Sequence, residues 1–234
     1  MFRDKNILIT GASYGLGSFL AKELGKLGSN LILVARNKKK LEVTLSKIAN
    51  NTKSIIIPCD LESNQDIEKM CKKVKNKFPY LDIIMHVAGG GLGVKDPLPS
   101  YEDYMRVMNL NLFSIFEINR HLLPFLKKNS QSTIFHVGSI ASNESIGSLS
   151  YNVAKIGLVA YVRSLSKEIS GSGIVVNGIA PGAFECENNA MSRLKEKNLK
   201  AYQKFVEEKI PSRKMPTAKD LLPLILLLIG KNNL

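Results

Sequence analysis

Six short runs in this chain are apolar almost from end to end, and longer stretches with helical spacing separate them. The runs are NILIT (6–10), LILVA (31–35), SIIIPC (54–59), DIIMHV (82–87), TIFHVGS (133–139) and IVVNGIA (174–180). A strand with one wet face alternates polar and apolar residues, whereas unbroken apolar runs suit strands covered on both faces. Helical patterns occupy about 18–28, 38–50, 64–77, 101–127 and 151–170. Strand and helix repeated in this way require right-handed crossovers and a parallel sheet with helices on both sides. No linker, repeat or low-complexity tract divides the 234 residues, so 1–234 reads as one α/β domain built on a single doubly wound parallel sheet.

Composition narrows the function classes. The net charge is +13, but the lysines are scattered, as in NKKK and KKVKNK, with no interleaved aromatics. That pattern reads as solvated faces rather than a nucleic-acid footprint, so no nucleic-acid partner is expected. Cys59, Cys71 and Cys186 are far apart and fit no metal-ligand spacing, which points to reduced thiols in a cytoplasmic protein without a metal. The N-terminus lacks the apolar core of a signal peptide. Leu221 to Ile229, LLPLILLLI, is too short to span a bilayer and contains Pro223, so a buried helix is expected and no membrane association.

Four loops at strand ends could carry chemistry. After the first strand, ITGASYGLGS places Gly11, Ser13, Gly15, Leu16 and Gly17 in a turn that opens the first helix. Glycines there let the backbone approach a phosphate that the helix N-terminus attracts, although many such turns need glycine for sterics alone. The position after the first strand of an alternating chain favours dinucleotide binding. The second strand ends in Ala35 and Arg36, where an NAD site usually carries an acid. A guanidinium can clamp a 2′-phosphate, so NADP(H) is expected over NAD(H), the bland alternative being a plain surface arginine. Lys38, Lys39 and Lys40 could add field there or simply be solvated. Asp60 could accept from an adenine amino group with Leu61 beside the ring, or could cap the coming helix. Ala88, Gly89, Gly90 and Gly91 leave a flat wall for a ring or ribose, or form a flexible loop.

A fifth loop and the helix after it hold HVGSIASNESIGSLSYNVAK, residues 136–155. Tyr151 and Lys155 are four apart and so share a helix face one turn apart. An ammonium beside the tyrosine is expected to lower its pKa, which suits a general acid or base. Ser139, at a strand end, could donate to a substrate carbonyl.

Taken together these motifs resemble the short-chain dehydrogenase/reductase family over nearly the whole chain. The resemblance is carried by TGASYGLG, CDL, HVAG, LNL around Asn111, GS at Ser139, YNVAK, and VNGIAPG ending in Pro181 and Gly182. It implies a Rossmann fold and hydride transfer between a nicotinamide and a carbonyl or secondary alcohol. Tyr151 would be the proton donor or acceptor, and Lys155 would hold the nicotinamide ribose and depress the tyrosine pKa. Ser139 would polarise the substrate oxygen, Asn111 would hold a water that relays protons to Lys155, and Pro181 and Gly182 would lie near the carboxamide. A homodimer or homotetramer is also implied.

The chain departs from the family pattern at several points. His86-Val87 replaces Asn-Asn, Tyr14 stands where NADP-preferring members often carry Arg or Lys, and Cys186 replaces a threonine. Members normally continue past AKDLLPLILLLIG into a further strand, so the expected sheet lacks the usual last C-terminal strand and has an open edge. The substrate is expected around 90–100, 140–150 and a helical lid at 183–215, where lysines and Arg193 would tolerate an anionic small molecule. The competing reading is a non-catalytic dinucleotide-binding sensor or scaffold on the same fold.

Overall fold

The computed structural model describes residues 1–48, 52–126 and 132–230. Six strands form one parallel sheet: β1 Asn6–Thr10, β2 Asn30–Ala35, β3 Ile55–Pro58, β4 Ile83–His86, β5 Ser132–Val137 and β6 Ile174–Ile179. Their order is β3-β2-β1-β4-β5-β6, so the direction of winding reverses between β1 and β4. The expected doubly wound sheet is therefore present. Among the described residues β6 is an edge of the sheet. Residues 231–234, on which the expected loss of a last strand turns, lie outside the described residues.

The unbroken apolar runs follow from two-sided covering. Leu8, Ile32, Val34, Ile84 and Ile134 point to one face, against α3 (Asn64–Lys77) and α5 (Ser114–Leu126). Their neighbours Ile7, Ile9, Leu31, Leu33, Met85 and Phe135 point to the other, against α1 (Gly15–Lys26) and α9 (Ala218–Ile229). The side-chain period of two thus sends alternate residues of each strand into separate cores.

Three expected elements differ. The helix expected over 38–50 is α2, Lys38–Leu45, with 49–50 outside the described residues. The stretch 101–127 is α4 (Tyr101–Met108), a π-helical turn (Asn109–Phe113) and α5, with residue 127 outside the described residues. The break has a local cause. Asn111 Nδ2 donates to Val107 O at 2.8 Å, the carbonyl that a regular α-helix would pair with the Asn111 amide. Finally, α9 is a helix but not a buried one throughout: Ile225 is fully buried, while Leu224 and Leu227 are exposed. Among the described residues no helix is long and apolar enough to cross a membrane.

β4 and β5 carry a buried histidine pair. His86 and His136 are register partners with ring centroids 5.0 Å apart. His86 Nε2 pairs with Asn119 Oδ1 at 2.8 Å, and the Asn119 amide donates to Tyr161 Oη at 3.0 Å. His136 Nδ1 donates to Asn177 O at 3.1 Å. Burial holds both imidazoles neutral, lowering the His86 pKa from 6.5 to about 4 and that of His136 well below 6.5. In the unfolded chain both would titrate near 6.5. The unfolded state therefore binds the extra protons on acidification. For His86 this stability is full above about pH 6.5 and is lost toward pH 4, by about 1.4 kcal/mol per unit, and His136 acts in the same direction. Between pH 6.5 and 5 His86 alone costs about 2 kcal/mol, a fall of about 4–8 °C in Tm for a chain of this size. Thermal unfolding at the two pH values should show that fall, and His86→Asn should reduce it.

Candidate active site

A cleft of 1410 Å³ opens at the C-terminal ends of the strands and spans the β1/β4 switch point. Parallel sheets bind ligands there because the two neighbouring loops leave in opposite directions. One wall of the cleft is the turn between β1 and α1. Gly11 lies at φ +70°, and a Cβ on it would stand 2.8 Å from the Ala88 backbone. A Cβ on Gly17 would stand 2.3 Å from Gly11 O. The turn is closed so tightly that side chains at these two positions would force it apart. The first turn of α1 carries no acidic residue, and Tyr14, its N-cap, makes no side-chain cap bond. The free N–H groups at this end are thus open to an anion.

Gly11, Ser13, Gly15, Leu16, Gly17, Arg36, Leu61, Ala88 and Gly89 all line the cleft. So do Ser139, Tyr151, Lys155, Pro181 and Gly182. Asp60 does not line it. The Asp60 carboxylate accepts from Glu62 N at 3.0 Å, and the cap of α3 is Ser63, which accepts from Asp66 N. The Asp60 side chain thus closes a turn to Glu62 and is not the cap of α3. Arg36 reaches the cleft but is not a free cation. Its NH1 donates to Glu62 Oε1 at 3.2 Å, and Glu62 Oε2 accepts from Arg106 Nε at 3.0 Å.

The other wall converges on α6 (Leu149–Glu168). Ser139 follows β5 and caps a 3-10 turn, its Oγ accepting from Ala141 N at 3.1 Å. Gly138 N donates to Ile179 O at 2.7 Å and Ile140 N to Pro181 O at 3.1 Å. These bonds fix the loop of Ser139 beside Pro181. Lys155 is buried, and its Nζ donates to Val137 O at 2.9 Å. Burial lowers the lysine pKa to about 8. Nζ lies 5.6 Å from the centroid of the Tyr151 ring. The tyrosine departs from expectation. Burial raises its pKa, and the offsetting influence is the hydrogen bond from Ser139 rather than the Lys155 ammonium.

Asn111 stands behind the cleft rather than in it. The Asn111 Oδ1 accepts from Gly90 N at 3.0 Å, and Nδ2 donates to Gly90 O at 2.9 Å. A Cβ on Gly89 would lie 2.8 Å from Asn111 Oδ1 and 3.2 Å from Lys155 Nζ. Asn111 thus positions the 89–91 wall and, with Gly89, leaves space around the lysine. Thr10 was not among the expected site residues. Its Oγ1 accepts from Val87 N at 3.1 Å and Ala88 N at 3.2 Å, tying β1 to the loop after β4. A threonine at the end of an apolar strand gives no local sign of this.

The expected lid at 183–215 forms two helices, α7 (Ala190–Lys197) and α8 (Leu199–Lys209). Met191, Arg193, Phe205, Lys209 and Ile210 face the cleft from it. Glu185 anchors this segment: it accepts from Tyr202 Oη at 2.7 Å and from Lys195 Nζ at 3.0 Å, and its N–H donates to Pro216 O at 2.7 Å. Among the described residues no group of three or more His, Cys, Asp or Glu side chains could hold a metal ion.

A short chain dehydrogenase family profile matches residues 5–197. The 3-oxoacyl-(acyl-carrier-protein) reductase of Buchnera aphidicola is 31% identical, over 97% of this chain and 91% of its own. The enzyme of the same description from Rickettsia felis is 32% identical, over 88% of this chain and 81% of its own. Among solved structures, the RhlG/NADP active-site complex of Pseudomonas aeruginosa superposes with a TM-score of 0.88 at 26% identity, covering 97% of this chain and 90% of that one. Levodione reductase shares the fold at a TM-score of 0.89 and 23% identity, covering 98% and 92%. The glycine turn, the Ser139–Tyr151–Lys155 wall and a match along most of the chain converge on one conclusion: this protein belongs to the short-chain dehydrogenase/reductase family of oxidoreductases.

Proposed function

We propose that the protein interconverts a carbonyl and a secondary alcohol using NADP(H) in preference to NAD(H), with Tyr151 as the general acid and base. The observation that carries this reading is the convergence of Ser139, Tyr151 and Lys155 on one wall of a cleft whose other wall is the glycine turn. Gly11, Gly15, Gly17 and the open end of α1 would hold the pyrophosphate. Ala88, Gly89 and Lys155 would hold the nicotinamide ribose, with Pro181 and Gly182 at the carboxamide. The nicotinamide, when bound, supplies or accepts the hydride at the reacting carbon.

The chain's own residues do the rest. Ser139 Oγ donates to the substrate oxygen as negative charge builds there. Tyr151 Oη gives that oxygen its proton in reduction and takes it back in oxidation. A lysine with a pKa near 8 can re-supply the tyrosine near neutral pH, and Asn111 holds the loop beside it. The mixed apolar and cationic lid, with Phe205, Ile210, Arg193 and Lys209, supports a substrate with an apolar body and an anionic group. The relatives named for 3-oxoacyl-(acyl-carrier-protein) reduction are consistent with that class. Exposed Val153 and Ile156 on α6 and Leu224 and Leu227 on α9 support a homo-oligomer.

Thermal unfolding with and without nucleotide tests the cofactor reading. Nucleotide at about a hundred times its Kd adds roughly 2.7 kcal/mol. That raises Tm by about 5–11 °C for a domain of this size. The shift should be larger with NADPH than with NADH at equal concentration. Equal shifts would overturn the NADP preference, and no shift with either would overturn nucleotide binding. Turnover is then sought as NADPH oxidation over a panel of carbonyl compounds, with and without an anionic group. A nucleotide shift with no turnover across the panel would favour the non-catalytic reading.

A further inference from the structure

The adenosine end of the cleft contains a second cation besides Arg36, and of the three lysines at 38–40 it is Lys40 that lines the cleft. Tyr14 caps α1 with an extended backbone, so its side chain projects into the cleft instead of bonding the helix end. Lys40 Nζ lies 5.3 Å from the centroid of the Tyr14 ring. Lys40 sits in the first turn of α2, where its backbone N–H donates to Asn37 Oδ1 at 3.0 Å. Asn37 is the N-cap, and the first turn of α2 holds no acidic residue. Ser13, Tyr14, Arg36, Asn37 and Lys40 all line this end of the cleft.

The charges at this end are unequally committed. Arg36 shares Glu62 with Arg106, at 3.2 and 3.0 Å. Lys38 pairs with Glu42 at 3.8 Å. Among the described residues Lys40 has no carboxylate partner; the face of Tyr14 takes that place. A ring face attracts an ammonium through its quadrupole without cancelling its charge. The ring therefore holds Lys40 toward the cleft with its full charge available to an anion, whereas the Arg36 charge is partly neutralised by Glu62.

We propose that Lys40, held by the face of Tyr14, is the second cation of a 2′-phosphate subsite and that it, with Arg36, sets the preference for NADP(H). The inference rests on the dinucleotide reading of the cleft. It assigns Lys40 as a specificity-determining residue and Tyr14 as its positioning residue. Tyr14 acts here through its ring and not through its hydroxyl.

Calorimetric titration of NADPH and NADH into the full chain tests it, since the readout is affinity and needs no substrate. Lys40→Gln should weaken NADPH by about tenfold, the worth of one charge-assisted contact, and leave NADH unchanged. Tyr14→Leu should do the same, and Tyr14→Phe should keep the wild-type ratio. Unliganded Tm values within about 2 °C of wild type show that the variants fold, as expected of exposed positions. If Lys40→Gln keeps the wild-type NADPH-to-NADH ratio while Arg36→Ala lowers it, this inference fails and the NADP(H) reading stands. If the wild type binds the two nucleotides equally, both fail. If Tyr14→Phe loses the preference as Tyr14→Leu does, the ring is not what positions Lys40.

Discussion

Tyr151→Phe is expected to lower turnover by about 10²–10⁴-fold while the nucleotide-induced rise in Tm stays within about 2 °C of wild type. The substitution removes one oxygen and keeps the ring against Lys155. Ser139 Oγ retains its bond from Ala141 N, so the loop it caps stays in place. The loss of one buried hydroxyl bond costs stability by about 0.5–1.5 kcal/mol, small beside the kinetic effect. The size of the kinetic effect follows from the proton. Phenylalanine has no proton to give, and no other described side chain that lines the cleft wall beside Ser139 offers a phenolic donor. The assay is NADPH oxidation on whichever panel carbonyl the wild type reduces. Activity within a few fold of wild type would remove Tyr151 from the proton transfer and the proposed mechanism with it.

Gly17→Ala should abolish nucleotide binding and lower the unliganded Tm by about 2–12 °C, the range set by 1–3 kcal/mol of overpacking. The new Cβ would meet Gly11 O at 2.3 Å and Gly11 C at 2.8 Å, both backbone atoms. Gly11 has no route to yield. It sits at φ +70° with the Ala88 backbone 2.8 Å from where its own Cβ would be. Relief must therefore come from opening the turn that presents the end of α1 to the cleft. Gly182→Ala is the contrast: its Cβ would meet only Ile140 Cδ1, at 3.8 Å, so unliganded stability should stay within about 0.5 kcal/mol of wild type. Thermal unfolding of both variants, alone and with NADPH, distinguishes the two sites. A Gly17→Ala protein that melts like wild type and still responds to NADPH would show that this turn is not the nucleotide cradle.

Much of this was determined by the sequence by itself. Unbroken apolar runs dictate strands covered on both sides, and alternation with helical spacing dictates parallel order. Gly11 to Gly17 and Tyr151 to Lys155 are legible for a related reason: each motif lies within one turn or one helix, where covalent spacing alone sets the geometry. What the tertiary structure decided lies between elements. Arg36 meets Glu62 across 26 residues, Thr10 braces Ala88 across 78, and Asn111 clamps Gly90 across 21. Lys40 finds the ring of Tyr14 only because α1 and α2 start beside each other at the C-terminal ends of the adjacent strands β1 and β2. The protonation states belong to this level too. Lys155 falls to about 8 and the Tyr151 pKa rises because both are buried, which their spacing along one helix does not reveal. Local periodicity records which residues face a core, but desolvation and cross-strand contact depend on which distant segments close over them, and that is fixed only when the sheet forms.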